Sequence, residues 1–181
     1  MVGWCIWITG LPGSGKSTIA RILKRKLEEK GIKSYIISSD ALRRIATPKP
    51  KYTEEERDII YGALVYAAKV LVENDVNVII DATGNRRKYR DLARKEIGKF
   101  MEVYLKCPLK VCIERERQRV ETYLAPRNIY EKAFKGESKT VPGIGSPYEE
   151  PLNPEVTIET DKIDPENASN IILKNILLKF Y

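Results

Sequence analysis

Residues 10 to 17 read G-L-P-G-S-G-K-S, and what flanks them restricts the fold more than any other stretch of the chain. Before them, Trp4 to Thr9 is an apolar run of strand length. After them, Ile19, Ala20, Ile22, Leu23 and Leu27 recur at helical spacing between lysines and arginines, and Gly31 supplies a stop. Strand, glycine turn and helix in that order match the G-x-x-x-x-G-K-[ST] pattern in the context its mechanism needs. Glycines let the backbone N–H groups of positions 13 to 18 converge on phosphate oxygens, and the helix N-terminus adds partial positive charge. The expected ATP-binding set is Gly10, Leu11, Pro12, Gly13, Ser14, Gly15, Lys16, Ser17 and Thr18. Lys16 is predicted to reach the β and γ phosphates, and the Ser17 hydroxyl to hold Mg2+. A guanine-specific N-K-x-D is absent, and 181 residues leave no room for a motor or ring ATPase with its sensors. A small phosphotransferase remains.

The rest of the chain repeats the alternation. Lys33 to Ser38 reads as a second strand, Thr53 as the N-cap of a long acidic-started helix running to about Glu73, and Val76 to Asp81 as a buried third strand. Helical periodicity over Arg87 to Gly98 precedes a fourth strand at Met101 to Leu105, and Pro108 suits the first position of the next helix. Val156 to Ile158 reads as a fifth strand, and Asp164-Pro165-Glu166 starts a final helix with Ile171, Ile172, Ile176 and Leu177 on one face. Strands alternating with helices predict an α/β domain with a five-stranded parallel sheet and helices on both faces. One domain over residues 1–181 suits that length. Residues 116–154 are too long for an ordinary connection and are read as a lid and substrate loop.

Composition narrows the chemistry. The chain has no His, which excludes Ser-His-Asp catalysis, Cys-His catalysis and His-ligated zinc, so a general base must be a carboxylate or Lys. Cys5, Cys107 and Cys112 lack C-x-x-C spacing and read as small hydrophobes. No apolar run approaches the roughly 18 residues of a membrane span, so the expected setting is cytoplasmic. The net charge of +7 suits nucleic acid or a site for several phosphates.

Asp40 follows the second strand and Asp81 closes the third, so both are predicted at the carboxyl ends of the strands, facing the same crevice as the glycine turn. Asp40 is assigned as base and Asp81 as the metal-side group, with Ser17, Asp40 and Asp81 as the Mg2+ set; position along the chain hardly separates the two roles. The catalytic set is then Lys16, Asp40 and Asp81. Arginines at 43, 44, 57, 86, 87, 90, 115, 117, 119 and 127 fall mostly after strand ends or in the long loop, where bidentate phosphate contacts are expected. Tyr52, Tyr130 and Tyr148 are candidates for stacking on a base, and Gly143-Ile144-Gly145 between prolines for a backbone clamp.

These residues resemble those of the adenylylsulfate kinase family, whose members phosphorylate the 3'-hydroxyl of adenosine 5'-phosphosulfate with MgATP. The runs that carry the likeness are F-M-E-V-Y-L-K-C-P-L-K-V-C-I-E-R at 100–115, N-I-Y-E-K-A-F-K-G-E at 128–137 and P-G-I-G-S-P-Y-E-E-P-L-N-P-E at 142–155. The resemblance implies a three-layer P-loop NTPase fold, ATP and Mg2+ as cofactors, and ATP and adenylyl sulfate as small-molecule partners, with no membrane and a homodimer left open. It implies Arg115 at ATP, and Asp40, Arg43, Tyr52, Arg57, Arg87, Gly143 and Ile144 at the acceptor substrate. The chain departs from the family at Ile60, at Gly84-Asn85-Arg86-Arg87, at Val141 in place of a base-stacking Phe, and in about nine extra residues, Glu116 to Leu124. Asp81-Ala82-Thr83 with Arg87 and Arg90 instead resembles the D-A-T-x-x-x-R-x-x-R pattern of polynucleotide and tRNA-directed kinases. A nucleic-acid 5'-hydroxyl, tRNA or a nucleoside is therefore the alternative acceptor.

Overall fold

The computed structural model describes residues 2–181. Five strands, β1 (Cys5–Thr9), β2 (Ser34–Ser38), β3 (Asn77–Asp81), β4 (Phe100–Lys106) and β5 (Val156–Glu159), form one sheet in the order β2-β3-β1-β4-β5. Every neighbouring pair is parallel. The helices are α1 (Lys16–Glu29), α2 (Ser39–Ala46), α3 (Glu54–Glu73), α4 (Arg87–Glu96), α5 (Leu109–Gln118), α6 (Ile129–Phe134) and α7 (Pro165–Phe180).

Alternation along β1 explains the layers. Trp4, Ile6 and Ile8 pack with Leu23 and Leu27 of α1 and with Ile172 and Ile176 of α7. Cys5 and Trp7 face the other way, against Leu64 and Val65 of α3 and Tyr89 of α4. Both faces are therefore covered, and each buried large side chain contributes about 1.5–3 kcal/mol. A third apolar cluster joins Cys107, Cys112, Tyr130 and Val141, and so anchors the end of the long loop to α5 and α6. All three cysteines are free and buried, as their spacing suggested.

Local signals set the helix ends. Thr53 Oγ1 accepts from the Glu56 N–H at 3.2 Å at the start of α3, and Asp164 caps α7 by accepting from the Asn167 N–H at 3.0 Å. Gly31, at φ +75°, closes α1 with its N–H on the Glu28 carbonyl. Three details differ from the sequence reading. Pro108 is the N-cap of α5 rather than its first helical residue, with ψ at 135°. Asp40 follows the second strand as expected but lies in the first turn of α2, a helix the sequence reading did not include, because the Ser38 hydroxyl accepts from the Ala41 N–H and starts a helix there. The long segment 116–154 also contains α6, one and a half turns too short to give a periodic signal. Among the described residues no helix is long and apolar enough to cross a membrane.

Candidate active site

The turn after β1 shows why its glycines are needed. Gly13 sits at φ +83°, and a Cβ there would clash with the Cys112 carbonyl oxygen. A Cβ on Gly10 would stand 2.6 Å from Ser14 Oγ and 2.7 Å from the Leu105 carbonyl oxygen. Gly15 caps α1 in the left-handed region, and the first α1 turn bond runs from the Ile19 N–H to the Gly15 carbonyl. The N–H groups of Lys16 to Thr18 therefore have no intrahelical carbonyl and can serve an anion. The N–H of Ser14 departs from the expected convergence: it closes the turn on the Leu11 carbonyl at 3.0 Å. Lys16 Nζ lies within the loop, donating to the carbonyls of Gly10 and Leu11 at 3.0 Å each. Burial lowers its pKa, and the charges of Asp81 and Asp40 oppose that shift.

Strand register explains how Asp81 reaches this loop. Asp81 pairs with Ile8 on one side and with Ser38 on the other, so β3 delivers it between the phosphate loop and α2. Ser17 donates a hydrogen bond to its carboxylate. Burial raises the Asp81 carboxyl above the usual range, and Lys16 and that Ser17 bond pull it down. Asp40 is also raised, first by burial and then by the charge of Asp81, while Lys16, Arg43 and Arg119 lower it. The backbone that follows β3 is fastened in place. Trp7 Nε1 donates to the Ala82 carbonyl at 2.9 Å, Thr9 Oγ1 to the Thr83 carbonyl at 2.6 Å, and the Gly84 N–H to the Tyr61 hydroxyl at 3.1 Å.

Lys16, Ser17, Asp40 and Asp81 line one cleft of about 450 Å³, together with Gly13, Gly15, Arg43, Tyr52, Arg57 and Arg115. Arg43 pairs with Glu56 and stacks on the Tyr52 ring, 4.7 Å from its centroid. Tyr52 is held at φ +56° while its carbonyl accepts from Arg57 Nε at 3.1 Å. Arg57 Nη2 also donates to the Thr140 carbonyl at 2.5 Å, which ties α3 to the far wall. Arg115 Nη2 donates to the Thr160 carbonyl at 2.7 Å. Val141 and Pro142 contribute to the wall.

Other expected residues turn elsewhere. Gly143 packs toward Leu11 and Leu109, and Ile144 is part-exposed, so neither is among the residues around the cleft. Tyr130 is buried, with its hydroxyl donating to the Pro12 carbonyl at 2.8 Å, and Tyr148 packs on Tyr104 beside Thr9. Arg87 lies outside the cleft, its N–H on Glu149 at 2.8 Å and its guanidinium toward the Glu150 carbonyl. Arg90 is 1% exposed and bonds Glu102 at 2.6 Å, the Glu149 carbonyl at 2.6 Å and the Gly84 carbonyl. The two arginines of the D-A-T-x-x-x-R-x-x-R pattern are thus engaged with the protein's own acceptors.

Arg119, one of the ten arginines expected at phosphate, lines the cleft from the extra segment, and so does Tyr123, which the sequence did not single out. Local spacing gives no signal for Tyr123, because the chain leaves α5 after Gln118 and Arg119 is already extended, at φ −66° and ψ 122°.

Residues 2–159 match the family model described as adenylylsulphate kinase. A probable adenylyl-sulfate kinase of Archaeoglobus fulgidus is 40% identical, the match covering 90% of this chain and 99% of that protein. One from Pyrococcus abyssi is 36% identical, over 96% of this chain and 95% of its own length. Among solved structures, the APS kinase of Mycobacterium tuberculosis in complex with AMPPNP and APS superimposes with a TM-score of 0.86 at 31% identity, covering 97% of this chain and 98% of that one. With the glycine turn, the two strand-end aspartates and the parallel sheet already in place, these likenesses make the chain a member of the adenylylsulphate kinase family.

Proposed function

We infer that the chain is an ATP-dependent kinase that phosphorylates the 3'-hydroxyl of adenosine 5'-phosphosulfate, giving 3'-phosphoadenylyl sulfate. The observation that carries the reading is the pairing of Asp40 and Asp81 in front of Lys16 and Ser17, within one cleft that Arg43 and Arg57 also enter. In the proposed reaction the phosphate loop and Lys16 hold the β and γ phosphates. Asp40 takes the 3'-hydroxyl proton as that oxygen attacks the γ phosphorus, and the bond to the β-γ bridging oxygen breaks to release ADP. A carboxyl raised by burial is a stronger base than a solvated one, a property Asp40 shares with Asp81; Asp40 is assigned this step because Ser17 engages Asp81. Arg43, Arg57 and the Tyr52 ring are assigned to the phosphosulfate and its nucleoside.

The Ser17 hydroxyl against the Asp81 carboxylate, with Asp40 beside them, is an oxygen-only donor set suited to Mg2+. Among the described residues no group of three or more acidic, Cys or His side chains could hold a metal. Mg2+ fits that pattern, because it is bound by one or two carboxylates with water and substrate phosphates. When bound, it would neutralise charge on the β and γ phosphate oxygens.

The test is an acceptor screen with γ-labelled ATP, comparing adenosine 5'-phosphosulfate, a 5'-hydroxyl oligonucleotide, tRNA and nucleosides. Label is expected on adenosine 5'-phosphosulfate, and its absence there with label on another acceptor overturns the reading. Lys16→Ala is expected to lower the transfer rate by about 100-fold or more.

A further inference from the structure

Outside the groups already assigned, the polar atoms left unsatisfied near the cleft lie at the end of α5. Arg119 Nε and Glu116 Oε1 are both buried without a hydrogen-bond partner. Glu116 is 5% exposed, and its Oε1 stands 3.5 Å from Arg119 Nη2. That Nη2 donates its one good bond to the Pro126 carbonyl at 2.9 Å. A buried donor or acceptor left unpaired costs about 1–3 kcal/mol, so the arrangement persists at a cost that a ligand arriving in the cleft could offset.

The segment that carries Arg119 is fixed against the phosphate-loop helix. Arg21 of α1 lies over the Tyr123 ring, 4.2 Å from its centroid. Arg127 Nη2 donates to the Val120 carbonyl at 3.0 Å, fastening the extra segment to the chain that follows it. Arg119 thereby lines the same cleft as Lys16, Ser17, Asp40 and Asp81. Its charge also acts on the groups at the two ends of the transfer, disfavouring the protonated form of Lys16 and favouring the ionised form of Asp40.

Lys16 marks the γ phosphate before transfer and Asp40 marks the hydroxyl that receives it. We propose that Arg119 is a further catalytic residue, whose guanidinium binds the phosphoryl group in transit between ATP and the acceptor hydroxyl. The assignment rests on the kinase reading above but not on which alcohol is the acceptor. A planar, permanently charged guanidinium with free donors suits the equatorial oxygens of that group, on which negative charge is spread.

The experiment compares binding of ADP alone with binding of ADP plus aluminium fluoride, both with Mg2+, for the wild type, Arg119→Ala and Arg119→Gln. Aluminium fluoride mimics the phosphoryl group in flight. The wild type is expected to prefer the aluminium fluoride complex, and both variants to lose about 100-fold of that preference while binding ADP within about threefold of wild type. In turnover, kcat is expected to fall by a similar factor with the KM for ATP little changed. Equal weakening of both complexes would make Arg119 a ground-state contact and overturn the proposal. So would unchanged preference in the variants, or a wild type without any preference. Loss of the wild-type melting transition in both variants would make Arg119 a structural strut and equally overturn it. A wild type that prefers aluminium fluoride but labels a different alcohol leaves Arg119 standing and removes only the adenylyl sulfate reading.

Discussion

Asp40 and Asp81 are both raised by burial, and the charge of Asp81 adds to the rise at Asp40. A carboxyl whose folded pKa exceeds its unfolded value favours folding below the unfolded pKa, and that contribution is lost as pH rises through the folded one. At neutral pH both raised carboxyls therefore oppose folding of the ligand-free protein. Asp40→Asn removes one of them, so it is expected to raise the melting temperature of the ligand-free protein at pH 7, by about 2–4 °C for each kcal/mol relieved. The same substitution is expected to lower phosphoryl transfer by about 100-fold or more. A variant that melts at or below the wild-type temperature by calorimetry would contradict this account of the site. Lys16, Ser17 and the glycines were legible in the sequence because neighbours along the chain fix their geometry. Arg90 was not: its motif suggested phosphate, while its partner Glu102 lies on β4, beyond the end of Arg90's own helix, and is invisible to local spacing.

The α4 helix gives the consequence of that pairing at the scale of an element. Arg90 joins α4 to β4 through Glu102 and to the loop after β3 through the Gly84 carbonyl, and both side chains are buried. Removing one partner of a buried pair leaves an uncompensated charge and typically costs about 3–5 kcal/mol. Arg90→Ala is expected to lose stability on that scale in urea titration, and its loss of activity should follow unfolding rather than KM. An oligonucleotide-binding defect without a stability loss would restore the arginine to a substrate role. The α2 helix illustrates the opposite limit of sequence reading. Its eight residues are too few for periodicity, yet the Ser38 cap and the start at Ser39 decide where Asp40 points. Pro108 missed its expected position by one residue because its φ suits the N-cap as well as the first helical turn.

At the scale of the whole molecule, Glu155 connects three elements at the edge of the sheet. Its carboxylate accepts from Arg94 of α4 at 2.7 and 2.8 Å, from Lys179 of α7 at 2.8 Å, and from the Glu102 N–H of β4 at 2.7 Å. Burial alone would raise its pKa, but the bonds from Arg94, Lys179 and the Glu102 N–H prevail and hold it down at about 2. A depressed carboxylate contributes stability that is present above its unfolded value of 4.5 and is lost as pH falls through about 2. After allowance for partial exposure, that contribution is roughly 1–2 kcal/mol. Glu155→Gln is therefore expected to be less stable than wild type at pH 7 and nearly equal to it near pH 2, as measured by denaturant unfolding across that range. A gap that stays constant with pH would exclude the carboxylate charge as its cause.

Neighbours along the chain enforce the glycine turn between strand and helix, the caps at Thr53 and Asp164, the alternation that demands a parallel sheet, and the absence of imidazole chemistry. Strand ends were predictable too, since open parallel sheets collect functional groups there. Only the tertiary structure decided which arginines face the cleft. A guanidinium has the same local signature whether it meets phosphate or a buried carboxylate, and the strand order and the packing of residues 116–154 choose between them. Arg43, Arg57, Arg115 and Arg119 reach the cleft, while Arg87 and Arg90 are held by Glu149, Glu150 and Glu102, residues distant in sequence that the fold brings beside them.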